Sequence, residues 1–263
     1  MRFPACSSLA CIAVLVLGHQ ANAADILLPV TPSIDQVKTE NGWTFEIVPY
    51  AWAAGLTGSV GQFGLPPVHV DLPFWEVFDH LDFAGMAVGE ARYDRYSLIG
   101  DVIYVKLSGQ KGTPRGVVAN DVSVDSKTFT GFLGGSYYFL DTNSAQLGVM
   151  AGARVWSVDT RISFSGGVLD GVSRSDGETW VDATAGLRGS YSLTPQIYLT
   201  GWGVVGAGQA DLDWDVAGGI GYRFNDKFEA VAGYRALGVD FQDGGFLFDV
   251  VMHGPILGLV ARF

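Results

Sequence analysis

Cysteine, positive charge and long apolar runs are all scarce in this chain. Its two cysteines, Cys6 and Cys11, both fall in the first stretch, with Arg2, the apolar run Ala10–Leu17 and the triplet Ala21-Asn22-Ala23. That order is the pattern of a secretory signal peptide, residues 1–23, cut near Ala23. Its apolar run is shorter than the roughly 20 residues that cross a bilayer as a helix. The chain from Ala24 onward then carries no cysteine, which excludes a disulfide, a thiolate nucleophile or a cysteine metal site there. Lys and Arg total 16 against 27 Asp and Glu, a net charge of −11 that becomes −12 once Arg2 is removed. Such a chain lacks the cationic face that phosphate backbones require, so nucleic acid is excluded as a partner. Gly189–Ala210 is uncharged over 22 residues, but Thr194-Pro195-Gln196 and Gly201, Gly203, Gly206 and Gly208 interrupt it. A membrane helix is therefore not expected after the leader.

What is plentiful is glycine, with 36 residues, alongside 13% aromatics. The pattern of the chain is alternation. Trp214, Val216, Ile220, Tyr222 and Phe224 fall on one parity, and Asp213, Asp215 and Arg223 on the other. Phe228, Ala230, Ala232 and Tyr234 oppose Glu229 and Arg235, while Val181, Ala183, Ala185 and Leu187 oppose Asp182, Thr184 and Arg188. A period of two marks strands with one apolar and one polar side. Ten strands are expected, at roughly 43–54, 84–94, 96–107, 122–140, 144–163, 177–192, 196–207, 212–224, 227–241 and 247–263, with eight or twelve as alternatives.

Short turns at 94–95, 141–143, 193–195 and 225–226 alternate with longer connections at 55–83, 108–121, 165–176, 208–211 and 242–245. This asymmetry is that of transmembrane β-barrels, whose periplasmic turns are short and whose external loops are longer. The expectation is an all-β fold, an antiparallel transmembrane barrel spanning 43–263, preceded by a short periplasmic segment, 24–42. Periodicity does not distinguish inside from outside, and a soluble periplasmic barrel would reverse the faces. The leader, the turn asymmetry and the last residue favour the membrane version. Phe263 shares its parity with Ala261, Leu259 and Leu257. This resembles the C-terminal signature of Gram-negative outer-membrane barrels, and it implies the barrel assembly machinery as a partner alongside outer-membrane lipid. Trp43, Tyr93, Tyr96, Tyr138, Phe139, Tyr191, Tyr198, Tyr222 and Phe224 lie near strand ends and suit an interfacial belt.

The run Trp43-Thr-Phe45-Glu-Ile-Val-Pro49-Tyr50-Ala-Trp52-Ala-Ala-Gly55-Leu-Thr-Gly58 resembles the opening of a group of uncharacterised proteobacterial outer-membrane β-barrel proteins. So do Leu81-Asp82-Phe83-Ala84-Gly85-Met86, Glu90 and Gly100-Asp101-Val-Ile-Tyr104. The resemblance implies an outer-membrane location and carries over no substrate or catalytic residue.

If the apolar faces meet lipid, a set of charges points inward: Glu46, Glu90, Arg92, Asp101, Arg154, Asp182, Arg188, Asp213, Asp215, Arg223, Glu229 and Arg235. Arginine suits a paired interior because its planar fork binds carboxylates bidentately and keeps its charge when buried. One expectation is a lumen filled by such pairs, with a structural or surface-interaction role. The alternative is a narrow, cation-preferring small-solute channel lined by the surplus acids. Asp211, Asp213 and Asp215 alternate near an external strand end, raising a calcium or aspartate-protease site. Calcium takes about six to eight oxygens, more than this run supplies.

A protease or lipid-active enzyme needs a base, and the histidines after the leader are His69, His80 and His253. No catalytic residue, metal ligand set or cofactor is assigned. The 55–83 connection is the richest. Pro73 starts a predicted short helix in which Phe74, Phe78 and Leu81 recur at helical spacing, with Trp75 beside Phe74 and with His80 on the remaining surface. It reads either as a gating or ligand-binding loop at the barrel mouth or as an external flap packing its aromatics on the rim.

Overall fold

In these sequences alternation means that one set of side chains enters the barrel and the other leaves it. The computed structural model describes residues 42–113 and 119–263. The expected leader and most of the 24–42 segment lie outside them. Twelve strands form one antiparallel sheet: β1 (Trp43–Trp52), β2 (Gly55–Gly61), β3 (Val68–Leu72), β4 (Leu81–Tyr93), β5 (Tyr96–Gly112), β6 (Asp121–Asp141), β7 (Ala145–Ser165), β8 (Ser173–Ser192), β9 (Ile197–Gly208), β10 (Leu212–Arg223), β11 (Phe228–Asp243) and β12 (Phe246–Arg262). A six-residue helix, α1 (Phe74–Asp79), lies between β3 and β4. The neighbours run β1-β4-β5 and then in chain order to β12, which pairs again with β1. Ten strands thus close a ring, leaving no wall-long free edge for lipid to meet. The other two, β2 and β3, form a hairpin that continues β1 upward along β12.

Exposure of the apolar parity settles which side faces out. Leu98, Leu133, Val149, Leu187, Val216, Ile220, Leu257 and Leu259 are exposed on the outer face. Around the short-turn end stands a ring of exposed Trp43, Phe45, Tyr93, Tyr96, Tyr137, Phe139, Tyr191, Tyr222, Phe224 and Phe263. Tyr138 and Tyr198 do not belong to it. Both are buried in the lumen, and Tyr137 takes the outward place. Strand-end position suggested the belt, but parity decides the direction of each ring.

The external connections are also shorter than their composition suggests. Much of them is strand. The β5 ladder runs on to Gly112, β8 begins at Ser173, and β11 turns into β12 through Gly244-Gly245 alone. Strands β6 and β7 have 21 residues each, about twice the 9–11 that cross a bilayer. Their surplus stands above the membrane. Strands β9 and β10 have only 12 each, so the wall dips there, and Ser173–Val181 of β8 has no β9 partner. The β2–β3 hairpin leans across, and the Phe63 amide at its tip donates to the Asp176 carboxylate of β8.

The ring is fastened where the last residue meets β1. Phe263 N–H donates to Phe45 O at 2.9 Å, and Phe45 N–H returns a bond to Phe263 O at 3.2 Å. Deleting Phe263 removes both. It should lower the yield of heat-modifiable, membrane-assembled barrel, measured by gel shift of outer-membrane fractions; an unchanged yield would contradict the closing role.

Candidate functional site: the braced lumen

Three layers fill the lumen, each built from inward-facing parities of strands on different sides of the ring. The layer nearest the short turns is polar. Arg92 meets Asp141 at 2.8 Å with its guanidinium 4.2 Å from the Tyr138 ring centre. Arg262 meets Glu46 at 2.5 Å and also contacts Glu229. Arg223 approaches Glu229 at 3.3 Å and lies 4.2 Å over Tyr198. The Tyr198 ring lies across Gly221, where any β-carbon would fall 2.1 Å from it, and so its hydroxyl reaches Glu229 on β11 at 2.5 Å. Arg188 crosses from β8 to Glu90 on β4 at 2.8 Å. Glu46 and Glu90 are register partners, and like charges in that position repel. Arg262 and Arg188 offset that repulsion. Around these groups is a cavity of about 640 Å³, bordered by Thr142, Asn143 and Ser144 of the β6–β7 turn. It is a vestibule at the short-turn end.

The middle layer is drier. Arg235, 2% exposed, binds Asp215 at 2.7 and 3.1 Å, Asp101 at 2.7 Å and the Tyr50 hydroxyl at 2.8 Å. Tyr50 in turn donates to Asp101 at 2.8 Å. Arg154 meets Asp215 at 2.9 Å. Asp213 accepts from the Trp156 indole at 2.8 Å and lies 3.6 Å from Arg154 without a hydrogen bond. Asp182 accepts the Ala210 amide at 2.8 Å through Oδ1, and its Oδ2 is buried without a partner. Two guanidiniums therefore face four carboxylates in this layer.

The external layer is aromatic. Trp156 and Trp180 are register partners with no exposed surface. Their rings stack at 5.9 Å, and Trp180 stacks on Phe241 at 4.1 Å. Phe246, Phe248, Trp52, Leu237 and Ile103 complete the cluster.

Of the charges named from the sequence, Glu46, Glu90, Arg92, Arg188, Arg223, Glu229 and Arg235 border the vestibule, Arg154, Asp182, Asp213 and Asp215 are buried, and Asp101 is held by Arg235. Sequence reasoning missed Arg262, Tyr50, Tyr138 and Tyr198. Arg262 was legible, since its parity is opposite to that of Phe263. Asp211 is a correction: it precedes β10, is exposed, and does not join Asp213 and Asp215. Its amide bonds Asp240 O instead.

His253 stays on the outer face, 2.7 Å from the Tyr234 hydroxyl, apart from the luminal aspartates. His69 lies on β3, and His80 closes α1 with its ring 2.8 Å from Glu76 O. Among the described residues, no three His, Cys, Asp or Glu side chains come together as a metal site. The 55–83 connection divides its two readings. Its hairpin tip reaches over the mouth, whereas Phe74 is half-buried against Trp75 and Phe78, which remain exposed.

Two predictions follow from charge placement. Breaking a fully buried pair costs about 3–5 kcal/mol, and a partly exposed one costs less. Arg235→Ala should therefore lower the gel-shift temperature most and Arg188→Ala less, with Arg174→Ala, a change at an exposed β8 end, least. Equal shifts would contradict the bracing. Above the rim, burial together with the Asp249 and Asp211 carboxylates pushes Asp240 above the usual carboxylate range. A raised acid destabilises the fold once ionised, so this cost is present above the folded pKa and gone below the ordinary one. Asp240→Asn should raise heat stability at neutral pH and lose that gain in acid, measured by melts across pH.

No family model matches the chain, and no curated protein matches it in sequence. Solved structures do match. The outer-membrane protease OmpT of Escherichia coli aligns with TM-score 0.51 at 11% identity, over 88% of this chain and 100% of that one. The attachment invasion locus protein Ail of Yersinia pestis aligns with TM-score 0.36 at 15% identity, over 85% and 99%. Neisserial surface protein A aligns with TM-score 0.34 at 13% identity, over 84% and 97%. At these identities the likeness concerns fold alone: the chain is a closed, ten-stranded antiparallel barrel of outer-membrane type.

Proposed function

We propose that this protein is a closed, non-conducting outer-membrane barrel whose role is structural or is carried by its external surface. The observation that supports this reading is the aromatic layer. Trp156 and Trp180 have no exposed surface and stack with Phe241 across the external half of the lumen. A wet ion path needs polar groups or a dewetting constriction that opens. Here the constriction is several side chains thick, and the Arg235 and Arg154 pairs brace the wall beneath it. Rigid bracing suits a scaffold that holds the β2–β3 hairpin and α1 at the surface. The barrel assembly machinery, engaged through the C-terminal strand, and delivery by a leader cut near Ala23 belong to the same reading. OmpT is a protease, but the outward His253 leaves Asp213 and Asp215 without a histidine base, so the fold likeness is not extended to its activity.

The test is single-channel recording of the refolded protein in a planar bilayer, after folding is verified by heat-dependent gel shift. Electrical silence over a range of voltages is expected. Steady, cation-selective current would overturn the reading in favour of a channel.

A further inference from the structure

The barrel wall is not zipped to its full height. The β1–β4 ladder stops at Pro49 and Ala87. Beyond that point Tyr50, Ala51 and Trp52 pair with β12 alone, and Leu81 to Met86 pair with β5 alone. Strand β3 has β2 as its ladder partner and ends the sheet. The chain leaves strand geometry at Ala53-Ala54. A seam therefore runs upward from Pro49 and Ala87 to the rim.

Its height follows from the register. Ten residues of β12 separate Phe263 from His253; at about 3.4 Å rise and about 40° tilt they climb about 26 Å, the height of the apolar band. His253 pairs with Gly55, and Leu56 pairs with Leu72. From the hairpin tip β3 runs back down, so Leu72 and α1 beyond it stand at the membrane rim; the seam opens below them near the bilayer midplane, where Tyr50 pairs with Gly258 halfway between Phe263 and His253, and runs up through the outer leaflet. Behind the seam stand Tyr50, Met86, Ala54 and Leu56, apolar groups packed on the aromatic cluster. Beside it Trp75 is 72% exposed, Phe78 57% and Phe83 58%. Phe83 lies 6.0 Å from Tyr104 on the outer face of β5, so this patch continues the lipid-facing band without a break.

We propose that the seam and α1 form a binding site for an outer-leaflet amphiphile. One acyl chain lies along the seam against Phe83 and the apolar groups behind it. Trp75 and Phe78 stand at the headgroup boundary, the depth at which amphipathic rings partition. The ester or amide linkages of the lipid meet the unladdered backbone groups at the seam's upper end, which otherwise lack partners in hydrocarbon. Glu76 and Asp79, on the same short helix, remain toward water.

Two measurements on the refolded full chain test this. In phosphatidylcholine vesicles with bromine on the upper acyl carbons, comparison with Trp75→Phe isolates the Trp75 emission. It should be blue-shifted, quenched by bromine and sheltered from acrylamide. Emission quenched by acrylamide and indifferent to bromine would overturn the site and leave the helix facing water. In a background without Cys6 and Cys11, Ala51→Cys with Gly85→Cys places thiols where the next outward-facing ladder pair would fall. Ile47→Cys with Gly89→Cys is the control within the ladder. The seam pair should oxidise at least about tenfold more slowly than the control, since a disulfide needs β-carbons about 3.5–4.5 Å apart. Equal rates would mean that the seam closes in the bilayer, and the proposal fails.

Discussion

Hydrocarbon offers no hydrogen-bond partner, and that constraint organises this molecule. Every backbone N–H and C=O at membrane depth must find its partner in a neighbouring strand, so the strands close into a ring. Closure in turn sends alternate side chains inward. Ten strands leave a lumen near the size that side chains can fill. The chain fills it with arginine–carboxylate pairs below and stacked aromatics above. Cross-lumen contacts such as Arg235 with Asp101, or Arg188 with Glu90, tie strands that no ladder joins.

The same constraint gives the seam its interest. A wall unzipped above Pro49 is costly unless something polar and something apolar both meet it there. The outer leaflet supplies both at that depth. The external end differs in kind from the periplasmic one. At the short turns the charges surround an open vestibule; toward the outside they give way to a dry cluster and a hairpin drawn over the mouth.

Much of this was legible in the chain. A period of two is local, so the polar parity that holds Asp182, Asp213, Asp215 and Arg235 could be read without coordinates. The ten barrel strands could be placed to within a few residues, except where β5 and β8 extend above the membrane. Loop composition misled there, because Gly- and Ser-rich segments such as Ser173–Gly177 still pair as strand when a neighbour offers a ladder. Nearness to a strand end does not give direction, and so Tyr138 and Tyr198 stand in the lumen and not in the belt.

The sequence by itself determined the strands and which residues share a face, because alternation needs only the pleat of one strand. The tertiary structure alone decided who meets whom. Whether Arg154 binds Asp215 rather than its register partner Asp182 depends on the stagger of strands around the closed ring. So does the end of the β1–β4 ladder at Pro49. Both are properties of closure, and no single strand contains them.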